Sequence, residues 1–176
     1  NGLFKKSLKI DIRNYDSFYS ECSKINPEII FHLAAQPLVR ESYKSPLNTF
    51  SSNLMGTVNV LETIRNLSSI QSAVLITTDK VYKENLNKGP YREDDMLGGH
   101  DPYSSSKAAC ELAIESWRAS FCNSNEIEKP YLAIATARSG NVIGGGDWSK
   151  DRIVPDTIIS LSKNEYISIR NPSSTR

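Results

Sequence analysis

The stretch AVLITTDK (Ala73–Lys80) decides the fold: a short apolar run ends in a hydroxyl, a carboxylate and an ammonium group. An unbroken apolar run of this length is typical of a strand buried on both faces of a parallel sheet. Ligands of such sheets bind at the carboxyl ends of the strands. We therefore predict that Thr78, Asp79 and Lys80 lie at a ligand-binding edge, although an ordinary turn is the simpler interpretation of the same residues.

Further apolar runs and amphipathic stretches surround this strand. EIIFHL (28–33) and LAIATA (132–137) are predicted strands, Pro46–Arg65 and Pro102–Phe121 are predicted helices, and Lys83–Asp101 is a predicted loop. The alternation implies right-handed crossovers and a doubly wound parallel α/β sheet. The helices are expected to pack through apolar residues spaced three and four apart. These residues are Leu47, Phe50, Leu54, Val58 and Leu61 in the first helix, and Ala108, Leu112, Ala113, Trp117 and Phe121 in the second.

Composition excludes several functional classes. The chain has 176 residues, 39% of them apolar, with 21 basic and 20 acidic side chains. This balance removes any general argument for nucleic-acid binding, and the sequence has no apolar run long enough to cross a membrane. Three cysteines and two histidines offer little material for a disulfide scaffold, a metal site or a histidine triad. We expect a cytoplasmic globular protein without a metal.

Tyr103 and Lys107 lie four residues apart at the start of a predicted helix, so their side chains share a face. Tyrosine, with an ordinary pKa near 10, is a poor base at neutral pH, but a nearby ammonium group stabilises the phenolate. The pair is then able to take a proton from a substrate hydroxyl while a cofactor accepts a hydride. Thr78 would bond to the same oxygen, and Asp79 would act as a general acid if burial favours its neutral form. An exposed tyrosine beside a solvated lysine is the alternative.

Other candidate ligand-binding residues follow short apolar runs. Ala34 and Ala35 are small enough to let a flat ligand lie against the backbone. His32 lies within an apolar strand, so we expect it to be packed or hydrogen-bonded rather than a ligand. Asp11 is able to accept a hydrogen bond from a base amino group, although a turn is the simpler interpretation of that residue.

The loop at 140–151 is dense in glycine, which permits close approach of the backbone to a ligand. It lacks the G-K-[ST] ending of a Walker A loop. Asn141 and backbone amides are candidates to hold a diphosphate, with charge added by Lys150 and Arg152. A surface loop is an equally good interpretation. A short helix over Val154–Leu161 is expected to follow.

Six segments together resemble the extended short-chain dehydrogenase/reductase family of nucleotide-sugar enzymes, and they occur in the family's order. The segments are DIRN (11–14), FHLAAQ (31–36), NLMGTVNVLE (53–62), TTDKVY (77–82), DPYSSSK (101–107) and ARSGNVIGGGDW (137–148). Within that family, TTDKVY, GGHDPYSSSK (98–107) and GNVIGGGDW followed by DRIVPD (151–156) most resemble the CDP-glucose 4,6-dehydratases. The resemblance implies a Rossmann-type fold, NAD as cofactor, CDP-glucose as substrate and a homodimer.

The resemblance also implies a reaction. Tyr103, supported by Lys107 and Thr78, removes the C4 hydroxyl proton as a hydride leaves C4 for NAD. Loss of the C5 proton and of the C6 hydroxyl as water follow, with Asp79 as the acid, and the hydride returns to C6. The implied cofactor-binding residues are Asp11, Ile12, Leu33, Ala34, Ala35, Ser52, Tyr103 and Lys107. The implied substrate-binding residues are Gln36, Asn141 and Arg152.

Two departures from the family pattern are informative. The dTDP-glucose members carry a Glu base for C5 where this chain has Lys80. A lysine acts as a base only in its neutral form, which burial favours.

No G-x-x-G-x-x-G phosphate loop is present, so we expect a central fragment of a longer protein that binds NAD poorly on its own. We expect residues 1–150 to form a partial NAD-binding domain, incomplete at the N-terminus, and 151–176 to begin a sugar-nucleotide-binding region.

Other functions stay open at this point. A dehydratase or epimerase that acts on a dTDP- or UDP-sugar would use the same motifs. A non-catalytic Rossmann module that binds a dinucleotide is the alternative from another class, but such a module has no need of the proton-transfer set.

Overall fold

The computed structural model describes residues 5–84, 89–122, 132–169 and 171–173. Strands and helices alternate along these ranges. The strands are β1 (Ile29–His32), β2 (Ser72–Ile76) and β3 (Ala133–Ala137). The helices are α1 (Tyr15–Ile25), α2 (Val39–Lys44), α3 (Pro46–Phe50), α4 (Gly56–Asn66), α5 (Pro102–Trp117) and α6 (Ile153–Ser162). The π-helical segments Ser51–Met55 and Arg118–Cys122 and the 3₁₀ turn Asp79–Val81 complete the described elements.

The strands form a parallel sheet with β2 between β1 and β3. Ser72 of β2 pairs with Ile29 on one side and with Ala133 on the other. This arrangement confirms the predicted Rossmann-like α/β fold, and each predicted strand agrees with the observed one to within a residue at either end. Parallel strands point the same way, so residues 33–36 and 77–80 emerge at the same edge of the sheet.

Apolar side chains of the sheet and of α4 and α5 form the core. Its buried members include Val60, Leu61, Ile64, Ala73, Leu75, Cys110, Ile114 and Ile134. The core therefore lies between the sheet and the two helices that join β1 to β2 and β2 to β3.

The predicted helix over Pro46–Arg65 is observed as α3, the first π segment and α4, but its predicted apolar face is partly wrong. Leu47 is 86% exposed, whereas Thr49 and Asn53 are buried. These polar side chains are buried because both hydrogen-bond to Gln36, after β1. Of the other predicted face residues, Leu61 is buried and Phe50, Leu54 and Val58 are half-buried.

The predicted helix over Pro102–Phe121 is observed as α5 and the second π segment, and one predicted core residue is wrong. Leu112 is 58% exposed. The face of α5 that meets the sheet carries Lys107 and Glu111 instead, because both hydrogen-bond to the end of β2. Of the other predicted face residues, Ala108 is buried and Ala113, Trp117 and Phe121 are half-buried.

The sequence did not predict α1 or α2. Asn14 caps α1, its Oδ1 accepting a hydrogen bond from the Ser17 amide at 3.0 Å. No side chain of α1 is fully buried, but Phe18, Tyr19 and Cys22 pack against the core, and their three- and four-residue spacing was the signal that could have predicted the helix.

The chain divides into two compact units, Asn1–Gly140 and Asn141–Arg176. The second unit contains α6, close to the predicted bounds. The predicted domain boundary at residue 150 stays a prediction, and residues 170 and 174–176 of the predicted sugar-nucleotide region lie outside the described residues, as do residues 85–88 of the predicted loop. Among the helices described, none is both long enough and apolar enough to cross a membrane.

Candidate active site

The residues after β2 form a tight turn at the carboxyl edge of the sheet. Thr78 Oγ1 accepts a hydrogen bond from the Lys80 amide at 3.4 Å and donates to Asp79 Oδ1 at 3.2 Å. The Asp79 amide donates to the Ser139 carbonyl, after β3, at 2.9 Å. Thr78 is buried, and Asp79 and Lys80 are half-buried. A hydroxyl, a carboxylate and an amine thus leave the sheet together, in a segment that is also a hydrogen-bonded turn.

The start of α5 is held by a capping box at Asp101. Its Oδ1 accepts hydrogen bonds from the amides of Tyr103 at 2.9 Å and Ser104 at 3.0 Å, and Ser104 Oγ accepts one from the Asp101 amide at 3.1 Å. Gly99 packs so closely that a Cβ there would lie 2.5 Å from the Ser105 amide nitrogen. The backbone at the start of α5, including the amide of Tyr103, is therefore held by several close contacts.

Lys107 lies under the end of β2 and is only 5% exposed. Its Nζ donates to the Ile76 carbonyl at 2.9 Å. Burial lowers the pKa of Lys107 because it disfavours the ammonium form, and the Glu111 carboxylate acts in the opposite direction. Tyr103 precedes Lys107 by one turn, and α5 packs against the 3₁₀ turn. The helix that carries both candidates therefore contacts the turn that carries the other three.

Asn53 links the end of β1 to α5, and sequence reasoning did not single it out. Its Nδ2 donates to Ser106 Oγ at 2.9 Å and to the Gln36 carbonyl at 3.2 Å, while its Oδ1 accepts from the Gln36 amide at 2.8 Å. Ser106 Oγ in turn donates to the Tyr103 carbonyl at 2.7 Å. The signal available in the sequence was the segment NLMGTVNVLE (53–62), which begins at this residue.

Gln36, predicted to bind substrate, uses its side-chain amide within the protein. Its Nε2 donates to Thr49 Oγ1 at 2.9 Å and to the Leu38 carbonyl at 3.2 Å, and its Oε1 accepts from the Leu38 amide at 2.7 Å. A direct contact between Gln36 and a substrate stays a prediction, and it would have to share or replace these bonds.

Asp11 and Ile12, predicted to bind the cofactor, precede α1. Arg13 Nε donates to both carboxylate oxygens of Asp11 at 2.9 Å, and this hydrogen bonding lowers the pKa of Asp11 to about 2. Ile12 packs on Gly56, where a Cβ would lie 2.5 Å from Ile12 Cδ1, and its carbonyl accepts from Asn59 Nδ2 at 2.8 Å. The segment is thus fixed against α4, and Asp11 is ionised at neutral pH.

The remaining predicted cofactor residues are accessible. Leu33 and Ala34 are exposed, and Ala35 and Ser52 are half-buried. The small side chains after β1 leave the backbone open to a flat ligand, as a nicotinamide dinucleotide requires.

His32 is buried within β1, and its Nε2 lies 3.0 Å from Thr57 Oγ1. This confirms the expectation that it is a hydrogen-bonded core residue. Burial, reinforced by the positive charge of Lys107, lowers the pKa of His32 to about 4. The imidazole is therefore neutral at pH 7.

The depressed pKa of His32 predicts a loss of stability in acid. The folded-state pKa of His32, about 4, lies below the ordinary value of 6.5. The stability that depends on a neutral imidazole is therefore fully present above pH 6.5 and is lost as the pH falls towards 4. A shift of this size corresponds to about 3 kcal/mol. Between pH 7 and pH 4, we expect urea denaturation to show a loss of unfolding free energy about 3 kcal/mol smaller in His32→Gln than in the parent protein. Equal losses would contradict this assignment.

In the second unit, the predicted substrate residues Asn141 and Arg152 both line a cavity of about 610 Å³. Arg152 Nε lies 3.1 Å from Asp147 Oδ2. Gly146, in the wall of the cavity, has a φ of 84°, a conformation that favours glycine. The glycine-rich loop therefore forms a concave surface, and its role towards a diphosphate stays a prediction.

Comparison with protein families identifies one matching model, described as GDP-mannose 4,6 dehydratase, over residues 5–125. Among curated proteins, the chain is 46% identical over 166 residues to the CDP-glucose 4,6-dehydratase of Salmonella typhimurium, covering 94% of this chain and 46% of that protein. It is 28% identical over 153 residues to the dTDP-D-glucose 4,6-dehydratase of Dictyostelium discoideum, covering 81% of this chain and 32% of that one. The chain thus spans less than half the length of these relatives.

Solved structures share the fold. A UDP-N-acetylglucosamine 4-epimerase from Methanobrevibacter ruminantium superposes with a TM-score of 0.74 at 25% identity, covering 90% of this chain and 47% of that one. A dTDP-glucose 4,6-dehydratase from Streptomyces venezuelae, solved with NAD bound, gives a TM-score of 0.73 at 21% identity, covering 88% of this chain and 44% of that one.

Proposed function

Because the chain belongs to the GDP-mannose 4,6 dehydratase family, of short-chain dehydrogenase/reductase type, we propose that it is part of an NAD-dependent 4,6-dehydratase that converts CDP-glucose to CDP-4-keto-6-deoxyglucose. The observation that carries the proposal is the contact of α5, with Tyr103 and the buried Lys107, against the turn Thr78–Lys80. The identity to the CDP-glucose 4,6-dehydratase of Salmonella typhimurium supports CDP as the nucleotide. Such a product belongs to deoxysugar biosynthesis, and we assign it to a lipopolysaccharide O-antigen pathway.

The first step assigned to these residues is removal of the C4 hydroxyl proton. Tyr103 takes this proton as the phenolate, and the positive charge of Lys107 favours that form. The Thr78 hydroxyl hydrogen-bonds to the same substrate oxygen. Bound NAD supplies the hydride acceptor at C4 and the donor at C6, so that the overall reaction is redox-neutral.

The second step is elimination of water. The C4 ketone acidifies the C5 proton, and Lys80 in its neutral form takes that proton. Asp79 gives a proton to the C6 hydroxyl as the C6–O bond breaks, so that water leaves. Thr78 Oγ1 and Asp79 Oδ1 are 3.2 Å apart, so the proposed acid lies beside the hydroxyl that is proposed to contact the C4 oxygen, and the hydrogen bond between them would be exchanged for one to the substrate.

The residues present fit NAD on the observed chemistry of the site. Asp11 is ionised and able to accept from ribose hydroxyl or base amino groups, and Ile12 is held on α4 beside it. Leu33 and Ala34 offer exposed backbone after β1. Ser52, Tyr103 and Lys107 complete the proposed cofactor contacts, while Gln36, Asn141 and Arg152 are proposed to contact the sugar nucleotide.

An assay of the full-length protein with CDP-glucose, dTDP-glucose and UDP-glucose tests the function. We expect a 4-keto-6-deoxy product, seen by its absorbance after alkali treatment, with kcat/KM for CDP-glucose at least about 10-fold above the others. A 4-epimer as product would favour an epimerase, as the fold shared with a 4-epimerase allows. Binding of NAD without turnover of any sugar would favour a non-catalytic module.

We also propose a cytoplasmic homodimer. Leu47, Met55 and Leu112 leave apolar side chains exposed on neighbouring helical segments, and a second copy of the protein would cover them. The odd number of cysteines is in keeping with a reducing compartment. The solution mass of the full-length protein, measured by light scattering, tests the oligomeric state.

A further inference from the structure

A buried ion pair joins α5 to the end of β3. Glu111, only 2% exposed, accepts two hydrogen bonds from Arg138: from Nε to Oε1 at 3.1 Å and from Nη2 to Oε2 at 3.0 Å. Burial alone would raise the pKa of Glu111, but the hydrogen bonds from Arg138 and Thr77 outweigh it, and the pKa is lowered. Two parallel bonds of this kind fix orientation as well as distance.

The same carboxylate holds the end of β2. Thr77 Oγ1 donates to Glu111 Oε1, and the preceding residue, Ile76, accepts from Lys107 Nζ at 2.9 Å. Lys107 and Glu111 are one turn apart on α5. Their side chains therefore hydrogen-bond to Ile76 and Thr77, which are successive residues of the chain. Thr78, the first residue of the candidate catalytic turn, comes directly after them.

Arg138 extends the connection to the loop after the turn. Its Nη1 donates to the Tyr82 hydroxyl at 3.1 Å and to the Glu93 carbonyl at 2.9 Å, and its guanidinium lies 4.9 Å above the Tyr82 ring. Tyr82 stacks on Tyr91 with ring centroids 4.7 Å apart. Thr77 lies before the turn Asp79–Val81 and Tyr82 lies directly after it. Thr77 contacts Glu111 and Tyr82 contacts Arg138, so the ion pair holds the chain on both sides of the turn.

We propose that Glu111 and Arg138 are positioning residues, whose ion pair holds Thr78, Asp79 and Lys80 in register with the helix that carries Tyr103. The inference deepens the proposed function and rests on it for the chemical roles of those residues. Neither Glu111 nor Arg138 transfers a proton. A displacement of about 1 Å between reacting groups is enough to cost about 100-fold in rate, which is why an anchor at this point matters.

Thr77→Val tests the anchor with little change in volume. In the full-length protein we expect the amides of Asp79 and Val81, which donate to Ser139 and Thr78, to exchange with deuterium at least ~10-fold faster, with Leu75 in mid-strand unchanged. We expect kcat to fall ~10- to 100-fold with a much smaller change in KM. Thr77→Ser, which keeps the hydroxyl, should restore both.

The chain offers a matched control for each change. Thr63 is also buried, and the described residues give its Oγ1 no hydrogen-bond partner, so Thr63→Val should leave local exchange and kcat unaltered. Arg138→Lys keeps the charge and loses the paired bonds, and it should reproduce the effect of Thr77→Val. Arg65→Lys makes the same change in the more exposed pair with Glu62 and should have no effect.

The readouts separate the possible failures. Unchanged exchange at Asp79 and Val81, or an equal rise throughout the sheet, would overturn the positioning role, because the pair would then stabilise the fold without setting the turn. A full-length protein that turns over no nucleotide sugar would refute the proposed function, while the exchange pattern would still decide whether the pair orders the turn.

Discussion

Replacement of Tyr103 by phenylalanine in the full-length protein is expected to lower kcat by a factor of ~10³ with CDP-glucose, within the 10²- to 10⁴-fold range of general acid–base groups. The change removes the single oxygen that is proposed to take the C4 hydroxyl proton. The helix start should survive, because Asp101 and Ser42 contact the Tyr103 backbone amide and not the ring. The measurement is steady-state formation of the 4-keto product, with circular dichroism to confirm folding.

Tyr43→Phe supplies the control for this experiment. Tyr43 lies on α2 and is largely exposed, so loss of its hydroxyl should change kcat by less than about twofold, as is usual for substitutions away from a site. A Tyr103→Phe protein that turns over CDP-glucose at the parent rate would show that another group takes the C4 proton. The reading of α5 as the catalytic helix would then fail, while the fold and the family would stand.

The strands were predictable because parallel strands take apolar runs, and three such runs stand out in this chain. Burial on both faces was wrong for β1, where Ile29 and Phe31 are exposed. The same parallel topology predicted the edge of the sheet at which the polar residues lie. The buried polar contacts could not be predicted. Asn53 and Ser106 are 53 positions apart in the chain, and Thr77 and Glu111 are 34 apart, so their pairing depends on the packing of α5 against the sheet.

Helix faces were predicted least well, for a related reason. Periodicity assumes that buried positions are apolar, yet α5 buries Lys107 and Glu111, and α3 with its π segment buries Thr49 and Asn53. These side chains are buried at acceptable cost because each has a hydrogen-bond partner. Leu47 and Leu112, which were predicted to be buried, are exposed on the same helices. The buried polar side chains lie around the candidate site. Functional sites are where a protein most often departs from the rule that buried positions are apolar.

Lys80→Ala is expected to stop exchange of the C5 hydrogen with solvent. If neutral Lys80 removes that proton, the variant should incorporate deuterium at C5 at least ~100-fold more slowly than the parent enzyme when incubated with CDP-glucose in D₂O. Asp79→Asn should behave differently, because the base is retained and only the acid is lost: C5 exchange should persist while the 4-keto-6-deoxy product no longer forms. The measurement is mass spectrometry of recovered substrate and product.

The contrast between these variants separates the base from the acid within one turn. Lys83→Ala is the matched control, since it makes the same substitution three positions further on, at an exposed residue, and both exchange and product formation should stay at parent levels. C5 exchange at the parent rate in Lys80→Ala would exclude Lys80 as the base. Loss of exchange in both Lys80→Ala and Asp79→Asn would instead mean that removal of the C5 proton requires both side chains of the turn, and the division into a separate base and acid would fail.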